Sequence, residues 1–292
     1  MAGSIPTKIN MINQTRKKAA NDTKLVAIIL TAIALIFFVV MLLVPLISVF
    51  LKAFEQGASV YYAAISDPMA MKAIKLTLTT IAIVVPINTT FGLIVAWAVA
   101  KFKFKGKNLL ITIIDLPFAI SPVVAGLIFV LLFSTSHGLL APLLTSLGIK
   151  IIFAPAGIVI ATLFVTLPFV ARELIPLMEA QGTSEEEAAL TLGASGLKTF
   201  WLITLPNVKW ALLYGIMLTA ARAAGEFGAV SVVSGHIRGL TNTLPLHVEI
   251  LYNEYKFSAA FAVASLLTII AIINLIIKNI ADWRIKQQLK ND

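Results

Sequence analysis

The chain contains no cysteine and few charged residues, and each shortage excludes a class of function. Without cysteine, disulfides, thiolate metal sites and cysteine nucleophiles are impossible in this 292-residue chain. Only 13% of the residues are charged, whereas soluble domains carry about 25%. Because 59% of the residues are hydrophobic, we expect lipid to surround most of the chain.

Histidine is also scarce, and its placement argues against a metal centre. His137, His236 and His247 are scattered, without an HExxH pattern or a carboxylate at ligand spacing. We interpret each of them as an ordinary polar residue. No nucleophile–base set converges elsewhere in the sequence, so a membrane enzyme is the weakest hypothesis and no cofactor is expected in this chain.

Long apolar runs make up most of the remaining sequence. A spanning helix needs about 20 predominantly apolar residues, and the fifth of the runs is interrupted by Arg222 and Glu226. The candidate runs are 25–50, 73–100, 109–133, 156–178, 207–234 and 259–281. Prolines within them predict kinks rather than helix ends. The prolines in question are Pro45, Pro86, Pro117, Pro122, Pro168 and Pro176.

These runs predict an all-α membrane protein with a six-span bundle over 25–283. Basic tails, 1–24 and 284–292, flank the bundle. Most loop and tail lysines and arginines fall on the side of the two tails, so both termini are expected in the cytoplasm of a bacterial-type inner membrane. The net charge of +9 therefore does not require nucleic acid. The first apolar run is too long for a cleaved signal and predicts an uncleaved span.

One ordered polar insert, "SEEEAALTLGASGLKTFWLITLP", interrupts the apolar pattern at residues 184–206. Ser184 and Glu187 fit the S-x-x-E capping box, in which the serine hydroxyl accepts from the Glu187 amide. Gly193 fits a helix end that needs a positive φ. The insert therefore starts with a well-capped helix that ends at a glycine turn.

The second part of the insert predicts another short helix. Leu197, Phe200 and Trp201 supply its apolar face, and Leu205-Pro206 is expected to end it before the next span. The result is a helix–glycine–helix hairpin at the cytoplasmic face. A plain connector would explain the hairpin equally well, but exposed aromatic surface on an ordered loop favours a contact site.

The insert resembles the complete EAA signature of ABC-importer permeases. The matching residues are Glu187-Ala188-Ala189, then Gly193, then Ile203-Thr204-Leu205-Pro206. In that family the hairpin is the coupling helix, which docks in a groove of a cytoplasmic ATPase that holds ATP and Mg. The resemblance implies that Glu187, Ala188, Ala189, Gly193, Leu205 and Pro206 form the docking site.

Longer stretches resemble the W-type permease subunit of sulfate/thiosulfate importers. They read "ARELIPLMEAQGTSEEEAALTLGAS", "ARAAGEFGAVSVVSGHIRG" and "TNTLPLHVEILYNEY". "GEFGA" is shared with molybdate permeases, so a molybdate or other oxyanion permease is an alternative. The resemblance implies a type I importer fold and alternating access. It also implies a T-type partner subunit, two ATPase copies and an extracytoplasmic sulfate-binding protein.

Ionisable residues inside the predicted spans are candidates for the anion path. Arg222 and Glu226 lie four residues apart, which places them on one face of a helix. They form either an internal ion pair or, with Arg222 as the cation, part of an anion path. Gly225 and Gly228 would allow neighbouring helices to approach closely there.

Three other ionisable residues in the spans are harder to interpret. Arg172 and Glu173 are expected near the cytoplasmic end of the fourth span, where they snorkel or pack against the hairpin. Asp115 has no visible partner in the sequence. In the rival hypothesis of an ion-coupled secondary transporter, Glu226 or Asp115 would be the ion site and the hairpin would need no partner.

The predicted outer loop "SGHIRGLTNTLP", residues 234–245, is rich in hydrogen-bond donors. His236, Arg238, Thr241 and Asn242 would suit a docked binding protein or a passing oxyanion. A solvated loop without a partner would have the same composition.

Overall fold

The structure is a computed structural model that describes Lys24 and residues 26–291, with side chains up to 280 and at 283 and 284. The predicted tail 1–24 lies outside the described residues, apart from Lys24. The chain divides into two compact units, residues 1–51 and 52–292. Within the described residues, every regular element is a helix.

The helices are α1 (Val26–Ala53), α2 (Ala58–Ile65), α3 (Pro68–Lys101), α4 (Lys107–Ala119), α5 (Pro122–Phe133), α6 (Ala141–Ser146), α7 (Pro155–Thr166), α8 (Pro168–Gln181), α9 (Ser184–Thr191), α10 (Gly196–Ala224), α11 (Gly228–Ser234), α12 (Leu244–Asn253) and α13 (Phe257–Asn291). Two of them, α1 and α10, contain a π-helical turn. Helix α13 continues past residue 283, where the sequence predicted the start of a tail.

Five helices in the described residues are long and apolar enough to cross a membrane. These are α1, α3, α10, the start of α13 and the nearly continuous pair α7–α8 over Pro155–Gln181. The pair α4–α5 passes the same test only when its two helices are taken together. The predicted all-α, multi-span fold is confirmed.

The run 109–133 is not one continuous helix, because α4 and α5 meet at an angle of 107°, so the pair forms either one broken span or a re-entrant loop. Ile120 and Ser121 have extended backbone between the two helices. Proline disfavours a helical conformation at the residue before it and fits the first position of a new helix. Pro122 therefore begins α5 instead of kinking a longer helix.

The fifth predicted run, 207–234, also has the wrong bounds. Helix α10 begins earlier, at Gly196, and ends at Ala224, with Gly225 as its C-terminal cap. A separate helix, α11, starts at Gly228. The glycines that were expected to bring helices together therefore also flank a break in the span.

Helices α3, α8 and α10 pack against one another and form the centre of unit 52–292. Their shared core consists of Ala96, Val170, Leu174, Met178 and Val208, all buried. Glycines allow the close packing at Val170: a Cβ atom on Gly92 would lie 2.6 Å from the Val170 Cβ, and one on Gly215 would lie 3.1 Å from the Val170 Cα. In lipid, helices do not associate through hydrophobic burial, and small residues commonly allow the close backbone packing that holds them together instead.

The two broken segments pack against each other. Helix α5 contacts α11, and a Cβ atom on Gly126 would lie 2.9 Å from the Ala229 carbonyl oxygen. A Cβ atom on Gly228 would lie 2.9 Å from the Pro122 Cβ. The start of α11 is thereby held against the start of α5.

Candidate functional site

The hairpin of residues 184–206 has the predicted turn. Helix α9 ends at Thr191, and Gly193 has a φ of 87°. Nothing lies within 4 Å of a Cβ atom built on Gly193. Glycine is therefore favoured at this position by its backbone conformation, not by lack of space.

The predicted capping box of Ser184 and Glu187 is not formed, because the N-cap of α9 lies one residue earlier and its side chain accepts from no helix amide. Thr183, not Ser184, caps α9, and its carbonyl accepts from the Glu187 amide at 2.9 Å. The Thr183 hydroxyl donates to Glu187 Oε1 at 2.7 Å. The chain turns at Gly182, which has a φ of 67°, so the helix can begin immediately after Thr183.

The second predicted helix of the hairpin does not end at Leu205-Pro206. It continues without interruption as α10, from Gly196 to Ala224. A π-helical turn, Phe200–Thr204, precedes the proline, and the Leu205 amide donates to the Phe200 carbonyl. This wider turn accommodates Pro206, which has no amide proton and whose ring would collide with a regular turn.

The hairpin is fixed to the spans by a buried ion pair. Lys101 Nζ, at the end of α3, lies 2.7 Å from Glu186 Oε1, and the two side chains are only 6% and 15% exposed. The Lys101 ammonium also donates to the Gly182 carbonyl, and the Thr204 hydroxyl donates to Glu186 at 3.1 Å. Sequence analysis missed Lys101 because it is the first of several lysines in a short loop.

Two outer contacts extend this anchor. The Asn207 side-chain amide donates to Glu185 Oε2 at 2.5 Å, and Lys107 pairs with Glu179 at 2.9 Å. The hairpin also has exposed apolar residues, and Leu192 is 89% exposed. Its other exposed apolar residues are Ala188, Leu190, Leu197, Trp201 and Leu202. The glutamates thus hold the hairpin to the bundle while an apolar surface faces outward.

The predicted ion pair between Arg222 and Glu226 is present, with 2.5 Å between Nη1 and Oε2. The two residues do not share a helix, because α10 ends at Ala224. The Glu226 side chain is 1% exposed and that of Arg222 is 34% exposed. Glu226 Oε1 also accepts from the Ala229 amide at 2.9 Å, so this carboxylate bridges the break between α10 and α11.

Arg222 lines a cavity of about 240 Å³ at the bend between α4 and α5. Ser121, Phe118 and Phe169 form other parts of its wall. Gly228 provides a close helix approach beside this cavity, through its contact with Pro122. Among the described residues, the only atom within 4 Å of a Cβ added to Gly225 would be its own helix's Ala221 carbonyl oxygen, at 3.8 Å, so no other helix of this chain approaches Gly225 closely.

Asp115, for which the sequence offered no partner, pairs with Arg172. Arg172 Nε donates to Oδ1 at 2.8 Å and Nη2 donates to Oδ2 at 3.0 Å. The guanidinium carbon lies 4.9 Å from the centre of the Phe118 ring. Arg172 therefore contacts α4, rather than snorkelling or packing against the hairpin as predicted.

The four residues predicted to contact a binding protein or an oxyanion on the outer side differ in their exposure. His236 and Arg238 are exposed, whereas Thr241 and Asn242 are 0% and 3% exposed and cannot form surface contacts. The Thr241 hydroxyl donates to the Ser234 carbonyl at 2.7 Å and accepts from the Ile237 amide at 3.1 Å. Thr241 is buried because it closes the loop after α11.

Charged and titratable groups surround this loop on the side of α12. Arg238 and Lys256 form ion pairs with Glu254, and the hydrogen bond from Arg238 lowers the pKa of the Glu254 carboxyl. Burial lowers the pKa of His247 in α12, so its neutral form is favoured. Helix α12 itself was not predicted, because its ten residues are too few for a span.

Comparison with known proteins identifies relatives over most of the chain. The family described as the binding-protein-dependent transport system inner membrane component matches residues 88–286. The chain is 51% identical over 249 residues to the sulfate transport system permease protein CysW of Escherichia coli K12, covering 85% of both chains. It is 35% identical over 234 residues to CysT of the same strain, covering 80% of this chain and 84% of CysT.

A solved structure has the same fold. A chain in the crystal structure of a bacterial alginate ABC transporter, in complex with an alginate pentasaccharide-bound periplasmic protein, superposes with a TM-score of 0.73. The match covers 91% of this chain and 94% of that chain at 19% identity. Family membership favours an ATP-driven importer over an enzyme or an ion-coupled secondary transporter. The chain belongs to the family of binding-protein-dependent transport system inner membrane components, the permease subunits of ABC importers.

Proposed function

We propose that the chain is the W-type permease subunit of an importer that carries sulfate or thiosulfate across the cytoplasmic membrane. The identity of 51% with a permease named for sulfate transport carries this assignment. The proposed partners are a T-type permease subunit, two copies of a cytoplasmic ATPase that binds ATP and Mg, and an extracytoplasmic sulfate-binding protein. Both termini face the cytoplasm in this arrangement.

The hairpin of residues 184–206 is the proposed contact with the ATPase. Its outward surface offers Ala188 and Leu192, while Glu186 is engaged with Lys101 on the inner side. Small and apolar residues suit insertion into a groove of another protein. Glu187 and Ala189 flank this surface, Gly193 shapes its turn, and Leu205 and Pro206 follow the wide turn that joins it to α10.

The cavity at Arg222 is the proposed part of the anion path. A sulfate dianion cannot leave water for lipid without a large free-energy cost, so it needs polar groups along its route. Arg222 and Ser121 line the cavity where the break between α4 and α5 lies. Gly225 and Gly228 flank the second break, and Glu226 neutralises Arg222 when no anion is bound.

Alternating access connects the two sites. ATP-driven closure of the ATPases moves the hairpin, the hairpin tilts α10, and the path opens outward to the binding protein. His236 and Arg238 are the proposed contacts for that protein because both are exposed on the loop after α11. Thr241 supports that loop from inside through its hydrogen bonds with Ser234 and Ile237, and Asn242 is buried next to it in the chain.

The experiment uses the complete transporter in liposomes, with ATP inside and the sulfate-loaded binding protein outside. We expect sulfate uptake that requires both, and about a tenfold loss in Gly193→Val, because a β-branched residue is strained at positive φ. Gly196→Ala is the matched control: its added Cβ also meets open space, and Gly196 has no positive φ. Uptake without ATP, or preference for molybdate over sulfate, would contradict the assignment.

A further inference from the structure

Arg172 lies in α8, within a helix pair that is long and apolar enough to cross a membrane, and yet its side chain is open to its surroundings. Its side chain is 58% exposed, and that of its partner Asp115 is 30% exposed. Arg172 precedes Glu179 by seven residues on α8, and Asp115 follows Lys107 by eight on α4. At about 1.5 Å per residue, the pair lies about 10–12 Å along the helices from the Lys107–Glu179 pair.

Lipid is an unsuitable neighbour for this ion pair. The hydrocarbon core is about 30 Å thick, so a depth of about 10 Å places the pair about a third of the way across if Lys107–Glu179 marks the cytoplasmic edge. Charged side chains at such depth generally face a water-filled path or another polar group. The exposed Arg172–Asp115 pair therefore marks a side of the bundle that is not covered by lipid.

The space beside the pair can hold a small anion. A cavity of about 300 Å³ is lined by Asp115, Arg172 and apolar residues that include Ile111 and Ile175. Asp115 uses two of the five guanidinium N–H donors of Arg172. The remaining donors suit an oxyanion, which arginine binds through paired hydrogen bonds.

Aromatic rings connect this cavity with the one at Arg222. Phe118 lies under the Arg172 guanidinium and also lines the Arg222 cavity, together with Phe169. The centres of the Phe118 and Phe169 rings are 5.3 Å apart. Two arginines thus occupy neighbouring cavities, with one aromatic side chain belonging to the surroundings of both.

We propose that Arg172 is a second binding position for the transported oxyanion, on the cytoplasmic side of Arg222, and that Asp115 neutralises it when the path is empty. This inference depends on the proposed function. Each arginine has its own carboxylate, Asp115 for Arg172 and Glu226 for Arg222. An arriving dianion competes with that carboxylate for the guanidinium, so the anion is passed on without an unpaired charge being left in the membrane.

The test compares Arg172→Gln, Asp115→Asn and the double variant in the complete transporter in liposomes. We expect Arg172→Gln to lower ATP-driven sulfate uptake by about tenfold or more, because it removes charge-assisted hydrogen bonds to the anion. Asp115→Asn should keep at least half of the uptake, because it removes only the competitor. The double variant should be as slow as Arg172→Gln. Lys52→Gln, which also breaks an exposed ion pair, is the matched control.

A purely structural ion pair predicts the opposite pattern. Both single variants would then lose uptake equally, and the uncharged double variant would recover it. That result, or normal uptake by Arg172→Gln, would overturn the proposal, provided that co-purification with the partner subunits is unchanged. Failure of the wild-type transporter to take up sulfate would instead refute the proposed function.

Discussion

At the scale of single residues, Lys101 carries the attachment of the hairpin to the bundle. Its ammonium is almost completely buried and meets the Glu186 carboxylate and the Gly182 carbonyl. A buried charge that loses its partner is strongly destabilising, whereas an exposed pair contributes little. The pair Lys107–Glu179, with side chains 33% and 46% exposed, offers the comparison in the same region.

We expect Lys101→Gln to lower the free energy of unfolding by about 3 kcal/mol, because it leaves Glu186 buried without a cation. Lys107→Gln should change it by at most about 1 kcal/mol, since that pair is solvated. Thermal unfolding of the purified permease in detergent measures the difference. Equal effects of the two substitutions would show that Lys101 does not anchor the hairpin.

At the scale of helices, the contact of α3 and α10 with Val170 depends on two glycines. A Cβ on Gly92 would meet the Val170 side chain and approach the Ala171 amide nitrogen to 3.0 Å, whereas one on Gly215 would have slightly more room. The backbone of α3 therefore lies as close to Val170 of α8 as a glycine permits, and the backbone of α10 lies nearly as close. Because the two distances differ, we expect substitution of the two glycines to destabilise the protein by different amounts.

We expect Gly92→Ala to lower the thermal unfolding temperature more than Gly215→Ala does. Forcing extra carbon into a packed core costs about 1–3 kcal/mol, and the Gly92 contact is the shorter of the two. Unfolding in detergent, followed by tryptophan fluorescence, gives both values. Gly196→Ala serves as a control for glycine loss outside this contact, since no atom lies within 4 Å of its added Cβ and Gly196 has no positive φ. The reverse order would show that α3 shifts freely on α8.

The helices show which features the sequence can predict and which it cannot. Apolar runs identified the spans, because lipid requires long stretches of hydrophobic residues. The bend at Ser121-Pro122 was also present in the sequence, as a capping serine before a first-position proline, but the apolar run around it obscured the signal. The Arg172–Asp115 pair could not be predicted, since it joins residues 57 positions apart through the packing of α4 against α8.

In the hairpin, too, some features could be predicted from residue types and others could not. The Gly193 turn followed from glycine alone, whereas the position of the cap depended on the turn at Gly182. Pro206 indicated a helix end, but the π-helical turn before it allowed α10 to continue. Burial of Thr241 and Asn242 depends on how the outer loop folds back on itself, which residue types do not reveal.

At the scale of the whole molecule, the distribution of positive charge predicts a single orientation in the membrane. The loop that contains Lys105 is expected in the cytoplasm, and the loop that contains Tyr255 is expected outside. Both residues are exposed, Tyr255 to 82%. The absence of cysteine allows either position to be labelled without removing native thiols.

We expect Tyr255→Cys to react with an impermeant maleimide in intact cells, because its loop faces outward. Lys105→Cys should react only in inverted vesicles. Labelling is measured by the mass shift of the purified chain, and the unsubstituted chain serves as the background. Reaction of both variants from the same side would exclude the predicted number of crossings between them.

The continuity of α10 has a mechanical consequence. One uninterrupted helix contains both Leu197 of the hairpin and Arg222, which lines the cavity at the bend between α4 and α5. From Gly196 to Arg222 it is about 39 Å long. If the helix tilts by about 10° about its cytoplasmic end, simple geometry moves its far end by about 7 Å, more than the rise of one helical turn, about 5.4 Å. A small movement of the hairpin at the membrane surface would thereby displace the far end of α10 by more than the size of the anion, without a hinge in the helix.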